Sequence, residues 1–187
     1  MKLLVIIGST RPGRIGKPIG DWFVGQAAEH GGFDVDVADL AELNLPLFDE
    51  PAHPATGQYT HEHTKAWSAR VAAADAYVFV LPEYNHSYSA AVKNAIDYLN
   101  REWAYKPVGL VSYGGISGGL RAVQALKPVL AALRMTPVVD AVTIPMAKTM
   151  LRDDAFEPTD IVAASAKTML DELVKIAPAL AGLRAAA

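Results

Sequence analysis

Apolar runs of strand length alternate along this chain with segments of helical period, and that alternation confines it to α/β architectures built on a parallel sheet. The spacing predicts strands over Lys2–Ile7, Phe33–Ala38, Ala76–Leu81, Val108–Ser112 and Pro137–Ile144. Helices are expected over Gly16–Glu29, His61–Ala74, Ala90–Asn100, Leu120–Leu133 and Thr159–Ala177. The first of these is closed by the stop signal His30-Gly31-Gly32. Between the second strand and second helix, Asn44–Gln58 holds three prolines and reads as an irregular surface loop, either a lid or a connector. The small, weakly patterned tail Ala179–Ala187 is expected to fray. With 187 residues, 51% of them hydrophobic, one full core can be buried, so a single domain over 1–187 is expected.

Charge and cysteine usage narrow the class further. A formal net charge of -3 and a pI near 5.9 argue against nucleic acid as a partner, because such domains concentrate a basic face. The chain has no cysteine, which rules out disulfides, thiol nucleophiles and iron–sulfur ligation and suits a reducing compartment. The apolar run after Lys2 stops at Gly8, too short for a signal-peptide core, and nothing approaches a membrane span. A cytoplasmic protein with no membrane partner is expected.

Unusual residues gather at three places, each following a strand's carboxyl end. The first is Gly8-Ser9-Thr10-Arg11-Pro12-Gly13-Arg14-Ile15-Gly16, a loop that with Lys17 carries three cations and no acid. Its backbone N–H groups, the positive end of a helix starting near Gly16, and the Ser9 and Thr10 hydroxyls converge as an anion site, with Arg11 and Arg14 able to form paired bonds to a phosphate. The second is Pro82-Glu83-Tyr84-Asn85-His86-Ser87, which offers a stiff backbone, consecutive amides and one aromatic ring. The third, Tyr113-Gly114-Gly115-Ile116-Ser117-Gly118-Gly119, lets backbone approach a flat ring edge without an intervening side chain.

Ligands of open parallel sheets sit outside the strand carboxyl ends, where strand order reverses. In the order 2-1-3-4-5 the three loops are neighbours and line one crevice, whereas in 3-2-1-4-5-6 the third loop is stranded. The expected fold is therefore α/β and flavodoxin-like, a three-layer sandwich around a five-stranded parallel sheet in the order 2-1-3-4-5. The ligand that suits its three loops is a flavin with a terminal phosphate.

At this point the chain resembles the NADPH-dependent FMN reductase family, which includes quinone, azo-dye and chromate reductases. The resemblance rests on Gly8-Ser9-Thr10-Arg11, on Pro82-Glu83-Tyr84-Asn85 followed by Lys93-Asn94-Ala95-Ile96-Asp97, and on Ser117-Gly118-Gly119-Leu120-Arg121-Ala122, spread over Leu3–Val139. It implies an FMN cofactor, NADPH or NADH as hydride donor, a small-molecule electron acceptor, and a homodimer or homotetramer. The site residues it implies are Ser9, Thr10, Arg11, Arg14, Ile15 and Gly16 for the phosphate. Pro82, Glu83, Tyr84, Asn85, Tyr113, Gly114, Gly115 and Ser117 would border the ring. No catalytic side chain is required, since flavin N5 carries the chemistry, and no metal is expected. The first loop departs from the family pattern, because many members place a small hydroxyl residue where this chain has Arg14 or Ile15.

Three rival readings arise from the same residues. A P-loop is excluded, because Arg14-Ile15 stands where Lys-Ser/Thr is needed. Gly115-Ile116-Ser117-Gly118-Gly119 matches a nucleophile elbow and would make Ser117 a hydrolase nucleophile, yet all five histidines precede it in the chain. His61-Glu62-His63 as a metal pair has no further placed ligand and reads as a solvated helix start. Outside catalysis, a flavodoxin-like electron carrier would need a docking face rather than a nicotinamide pocket, and no strongly acidic face is evident.

Overall fold

The computed structural model describes residues 1–185. Strands β1 (Lys2–Ile7), β2 (Asp34–Asp39), β3 (Ala76–Pro82) and β4 (Pro107–Tyr113) pair in parallel in the order β2-β1-β3-β4. The fifth position belongs to two short strands, β5 (Thr136–Pro137) and β6 (Val142–Ile144), both parallel to β4. The sheet thus follows the expected 2-1-3-4-5 order, but the continuous strand expected over Pro137–Ile144 is broken. Register explains the break. From Val108 to Val111 is three steps along β4, whereas the facing edge runs five, from Pro137 to Val142. The surplus residues bulge outward, leaving Val139 96% exposed, and Pro137 has no N–H for the ladder.

Helices α1 (Gly16–His30) and α6 (Asp160–Ala185) cover one face of the sheet. The other face is covered by α2 (Leu40–Leu43), α3 (Glu62–Ala73), α4 (Ala90–Asp97) and α5 (Leu120–Ala132). Alternate residues of each central strand serve opposite layers: Leu3, Val5, Val78 and Val80 pack toward α1 and α6, and Leu4, Ile6, Phe79 and Leu81 toward α2–α5. Burial on both faces is why these strands read as unbroken apolar runs. Trp103 is fully buried beside Tyr77, Phe79 and Trp67, and its Nε1 donates to the Ile96 carbonyl.

Three features were not expected. α2 is too short to show periodicity; Asp39 caps it by accepting from the Ala41 N–H at 3.0 Å. A small hairpin, β7 (Leu151–Arg152) with β8 (Ala155–Phe156), follows the sheet edge. The tail expected to fray from Ala179 instead prolongs α6 to Ala185, and the rest of that expectation lies outside the described residues. Arg184 ties this end down, donating to the Tyr105 carbonyl at 3.1 Å and pairing with Asp75. The loop Asn44–Gln58 is irregular apart from a 3-10 turn at Pro54–Thr56. It is anchored as a connector: the Asn94 amide donates to the Pro46 carbonyl and accepts from the Phe48 N–H, while buried Glu50 accepts from the N–H groups of Thr60 and His61.

Candidate functional site

β1 delivers the chain to Gly8, and the loop that follows turns into α1 at Gly16. Ser9 is fully buried, and its Oγ has no hydrogen-bond partner; the same is true of the Tyr113 hydroxyl at the end of β4. The two hydroxyls meet at Gly16, where a Cβ would lie 2.2 Å from Tyr113 Oη and 2.7 Å from Ser9 Oγ. Only glycine fits between them. Burial pushes the Tyr113 phenol upward, so it remains a neutral donor. Among the described residues, the N–H groups of Ser9, Thr10, Arg11 and Gly13 donate to no protein acceptor. α1 starts without a side-chain cap and without an acid in its first turn. Uncapped helix N–H groups carry partial positive charge, and unpartnered buried hydroxyls cost free energy unless a ligand meets them.

Arg14 is committed differently. Its guanidinium forms a two-bonded pair with Asp39, Nη1 to Oδ1 at 2.6 Å and Nη2 to Oδ2 at 2.7 Å, and Nη1 also donates to the Ser9 carbonyl at 2.7 Å. Burial alone would raise the Asp39 pKa, but the bonds from Arg14 and the Ala41 N–H outweigh it and hold the carboxyl below its ordinary range. Arg14 therefore braces the first loop against the end of β2. Arg11 is exposed and forms no ion pair among the described residues.

The second and third loops are locked together. Glu83 accepts from Ser117 Oγ at 2.8 Å, from Arg121 Nε at 2.6 Å and from the Arg121 N–H at 3.2 Å. Burial of Glu83 acts to raise its pKa, and these bonds reverse the shift, keeping it ionised. Arg121 also donates to His86 Nε2 at 2.7 Å. Neither partnership was visible in the sequence, where Glu83 read as a residue bordering the ring and Arg121 only as part of a motif. The hydrolase reading of Ser117 fails here: its hydroxyl bonds a carboxylate, and among the described residues no histidine bonds it. Tyr84 and Ser87 exchange two backbone hydrogen bonds across a tight turn with Asn85 and His86 at positive φ.

Between these loops lies a cleft of about 280 Å³. Arg11, Arg14, Ile15, Pro82, Glu83, Tyr84, Tyr113, Gly114 and Gly115 line it, so one site collects residues from all three sequence loops. Ser9 and Gly16 lie against Tyr113 beside it. Three expected residues point elsewhere: Thr10 lines a neighbouring crevice between α2 and α4, Asn85 is exposed at the turn tip, and Ser117 faces Glu83. Sequence reasoning missed a fourth segment, Met146, Lys148 and Thr149, which closes the cleft after β6. It is fastened by the N–H groups of Met146 and Ala147, which donate to the carbonyls of Gly115 and Gly114. Following the fifth strand to its carboxyl end, by the rule that located the other loops, would have found it.

This fold and cleft define a flavodoxin-like α/β protein with open hydroxyl and N–H donors beside a glycine-edged slot. The chain matches the family model described as NADPH-dependent FMN reductase over residues 1–149 and belongs to that family. It is 44% identical over 151 residues to the NAD(P)H-dependent FMN reductase of Schizosaccharomyces pombe, covering 79% of this chain and 75% of that one. To the FMN-dependent NADPH-azoreductase of Staphylococcus haemolyticus it is 36% identical over 127 residues, 67% of this chain and 65% of that one. In fold it is similar to the flavoenzyme NAD(P)H:(acceptor) oxidoreductase FerB of Paracoccus denitrificans, with a TM-score of 0.77, 20% identity, and 95% and 97% of the two chains covered.

Proposed function

We propose that this FMN-dependent NAD(P)H oxidoreductase holds its cofactor's phosphate in the first loop and the ring along the second and third. The electrons from NADPH or NADH then pass to a small acceptor such as a quinone, a free flavin, an azo compound or a metal oxyanion. The observation that carries the reading is the pair of buried, unpartnered hydroxyls of Ser9 and Tyr113 at the uncapped start of α1. The two hydroxyls lie close enough for Ser9 to lower the Tyr113 pKa against burial, yet neither meets hydrogen-bond geometry with a protein partner, and a phosphate dianion supplies acceptors to both.

In this arrangement Ser9, Tyr113 and the loop N–H groups donate to the phosphate, and exposed Arg11 adds charge. Arg14 keeps the loop in shape through Asp39. Pro82, Tyr84, Gly114 and Gly115 border the ring, and Glu83 holds their two loops at a fixed separation through Ser117 and Arg121. When bound, FMN supplies a ring that takes a hydride at N5 and releases it to the acceptor. Glu83 needs no proton-transfer role, because its carboxylate is occupied by three donors. Lys148 and Arg11 at the mouth place positive charge where an anionic dinucleotide enters. Donor and acceptor use one opening in turn, so ping-pong kinetics are expected.

Subunit association through α4 and α5 is also proposed, giving a dimer or tetramer. An open crevice of about 590 Å³ between these helices supports the reading: exposed Phe48 and half-buried Val129 and Leu133 border it beside Lys93 and Asp97, with Ile96 and Leu99 buried. A monomer in sedimentation would refute this. Cytoplasmic residence is proposed from the absence of cysteine; no helix among the described residues is long and apolar enough to cross a membrane.

The deciding experiment is titration with FMN and riboflavin, read by flavin fluorescence quenching. Arg11→Ala should weaken FMN at least about tenfold, equivalent to ~1.4 kcal/mol, and leave riboflavin unchanged. Equal losses would overturn the phosphate assignment. Anaerobic NADPH should then bleach the bound flavin promptly, whereas a carrier would stay yellow.

A further inference from the structure

At the opposite end of the sheet, beyond the strand amino ends, lies a larger crevice of about 840 Å³ between the carboxyl ends of α3, α5 and α6. Arg101, Lys106, Arg134 and Arg184 line it, and Glu102 is the one lining carboxylate. Glu102 is already satisfied, accepting from the Tyr59 and Ser68 hydroxyls at 2.7 Å each and from the Asn100 N–H at 3.2 Å. Asp75, just beside the crevice, pairs with Arg184 at 3.5 Å. Four cations thus face two carboxylates and the partial negative charge of three helix carboxyl ends, and Arg101 already donates from Nη2 to the Ala55 and Thr56 carbonyls at 3.3 and 2.8 Å.

Lys106 is 5% exposed. Its Nζ donates to the Val71 and Ala72 carbonyls at 3.0 Å each, which leaves a third N–H without a protein acceptor among the described residues. Arg134 spends one long bond, 3.4 Å, on the Tyr105 hydroxyl and is otherwise uncommitted among the described residues.

The backbone adds an independent sign. Tyr105 and Arg134 both adopt left-handed conformations, φ 57° and 58°. Arg134 closes α5 at the position where helices ordinarily place glycine: its N–H reaches the Ala131 carbonyl and that of Met135 the Leu130 carbonyl. The Tyr105 N–H donates to the Arg134 carbonyl at 2.9 Å, and the guanidinium lies over the tyrosine ring at 5.6 Å. Glycine at either position would relieve strain. Instead the chain keeps there an arginine and a tyrosine that line the crevice, and such retained strain clusters at ligand clamps.

We propose that this crevice is a second binding site, remote from the flavin cleft, that takes an oligophosphate anion on Arg101, Lys106, Arg134 and Arg184. Guanidinium forks match phosphate oxygens in pairs, and cations spread over a wide mouth favour an extended, multiply charged ligand over a single phosphate. Burial first, and Arg184 second, lower the Lys106 pKa to about 8 against the opposing pull of Asp75 and Glu102. The Tyr77 ring packs beneath the ammonium. An arriving anion favours the charged lysine, so Lys106 takes up protons on binding near pH 8.

The test is calorimetric titration of FMN-saturated protein with inorganic tripolyphosphate at pH 8 and low salt, in buffers of differing ionisation heat. Saturable binding is expected. Arg134→Gly should weaken it at least tenfold without lowering the melting temperature, because glycine suits that backbone. Tripolyphosphate itself sheds a proton on binding at this pH, so the uptake by Lys106 is read as a difference. Lys106→Met should shift the net proton count toward release; should that variant fail to fold, Arg101→Gln replaces it and should also weaken binding. Arg11→Ala should leave tripolyphosphate affinity unchanged, and citrate should bind at least tenfold more weakly. Absence of saturable binding, indifference to Arg134→Gly, sensitivity to Arg11→Ala, or equal affinity for citrate would each overturn the proposal. The Arg11→Ala arm also separates this site from the flavin loop, so failure here leaves the flavin reading intact.

Discussion

Two helix amino termini border the three-loop cleft, and the protein treats them in opposite ways. α5 starts at Gly119 with no cap of its own, yet Glu83 reaches across from the second loop and accepts the Arg121 N–H, supplying a negative charge from within the chain. α1 starts at Ile15 with neither a cap nor an acid, and the hydroxyls beside it remain unpartnered. Both ends carry the same helix-dipole charge. One has its anion built in and serves as a frame; the other leaves its donors open, as the proposed phosphate site requires. Which of two glycine-rich turns binds a ligand thus depends on where the nearest carboxylate goes, because a satisfied donor has little left to give.

The comparison can be broken most forcefully at Arg14, which engages the Asp39 carboxylate near the start of α1 and keeps it from the open donors. Arg14→Ala strands a carboxylate with 2% side-chain exposure. Unfolding in denaturant should show a loss of about 3–5 kcal/mol, and Arg14→Leu with Asp39→Leu should recover most of it. A loss under about 1 kcal/mol would mean the brace is dispensable.

Next in size is Glu83→Gln, which removes the built-in anion of α5. Charge-assisted bonds of this kind contribute about 1.5–3 kcal/mol. Because the folded Glu83 pKa lies below its ordinary value, the contribution is complete above the ordinary carboxylate range and fades as pH falls through the lowered value. The wild type should therefore lose stability on acidification more steeply than Glu83→Gln, a difference that melting curves at several pH values would measure.

Gly16→Ala tests the receptor side, since its Cβ would collide with Tyr113 Oη and Ser9 Oγ. Overpacking should cost about 1–3 kcal/mol and weaken FMN. Gly25→Ala on the same helix meets nothing within 4 Å and should be neutral or stabilising by up to about 1 kcal/mol. Equal behaviour of the two would deny the cradle its shape.

The smallest effect on folding is the sharpest. Tyr113→Phe deletes a buried hydroxyl that lacks a partner without ligand, so the flavin-free protein should gain slightly in stability. FMN affinity should fall by about 1.5–3 kcal/mol in the same variant, because the lost bond goes to a charged phosphate. Changes of like sign in both measurements would show that the hydroxyl is not reserved for the cofactor.

Much of this was legible beforehand. The central strands announced themselves because burial on both faces leaves no charged residue in Leu3–Ile7 or Ala76–Leu81, and the loops because glycine, proline and hydroxyl residues collect where those runs end. Hidden were the features set by partners distant in the chain: the broken edge strand, whose bulge comes from its register with β4; the tail, held by Arg184; and Met146 to Thr149 at the cleft. Arg14 is the instructive case. As a residue type in a basic loop it reads as a phosphate ligand, and only the approach of β2 reveals Asp39 within hydrogen-bond reach.

From the order of residues alone came the layer architecture, the strand order, the position of the cleft and the chemistry suited to it, because each depends on periodicity or on residue types adjacent in the chain. The tertiary structure decided which polar groups were already spent. Hydrogen-bond partners such as Glu83 with Arg121, or Arg14 with Asp39, lie 38 and 25 residues apart, and no local pattern encodes so distant a meeting.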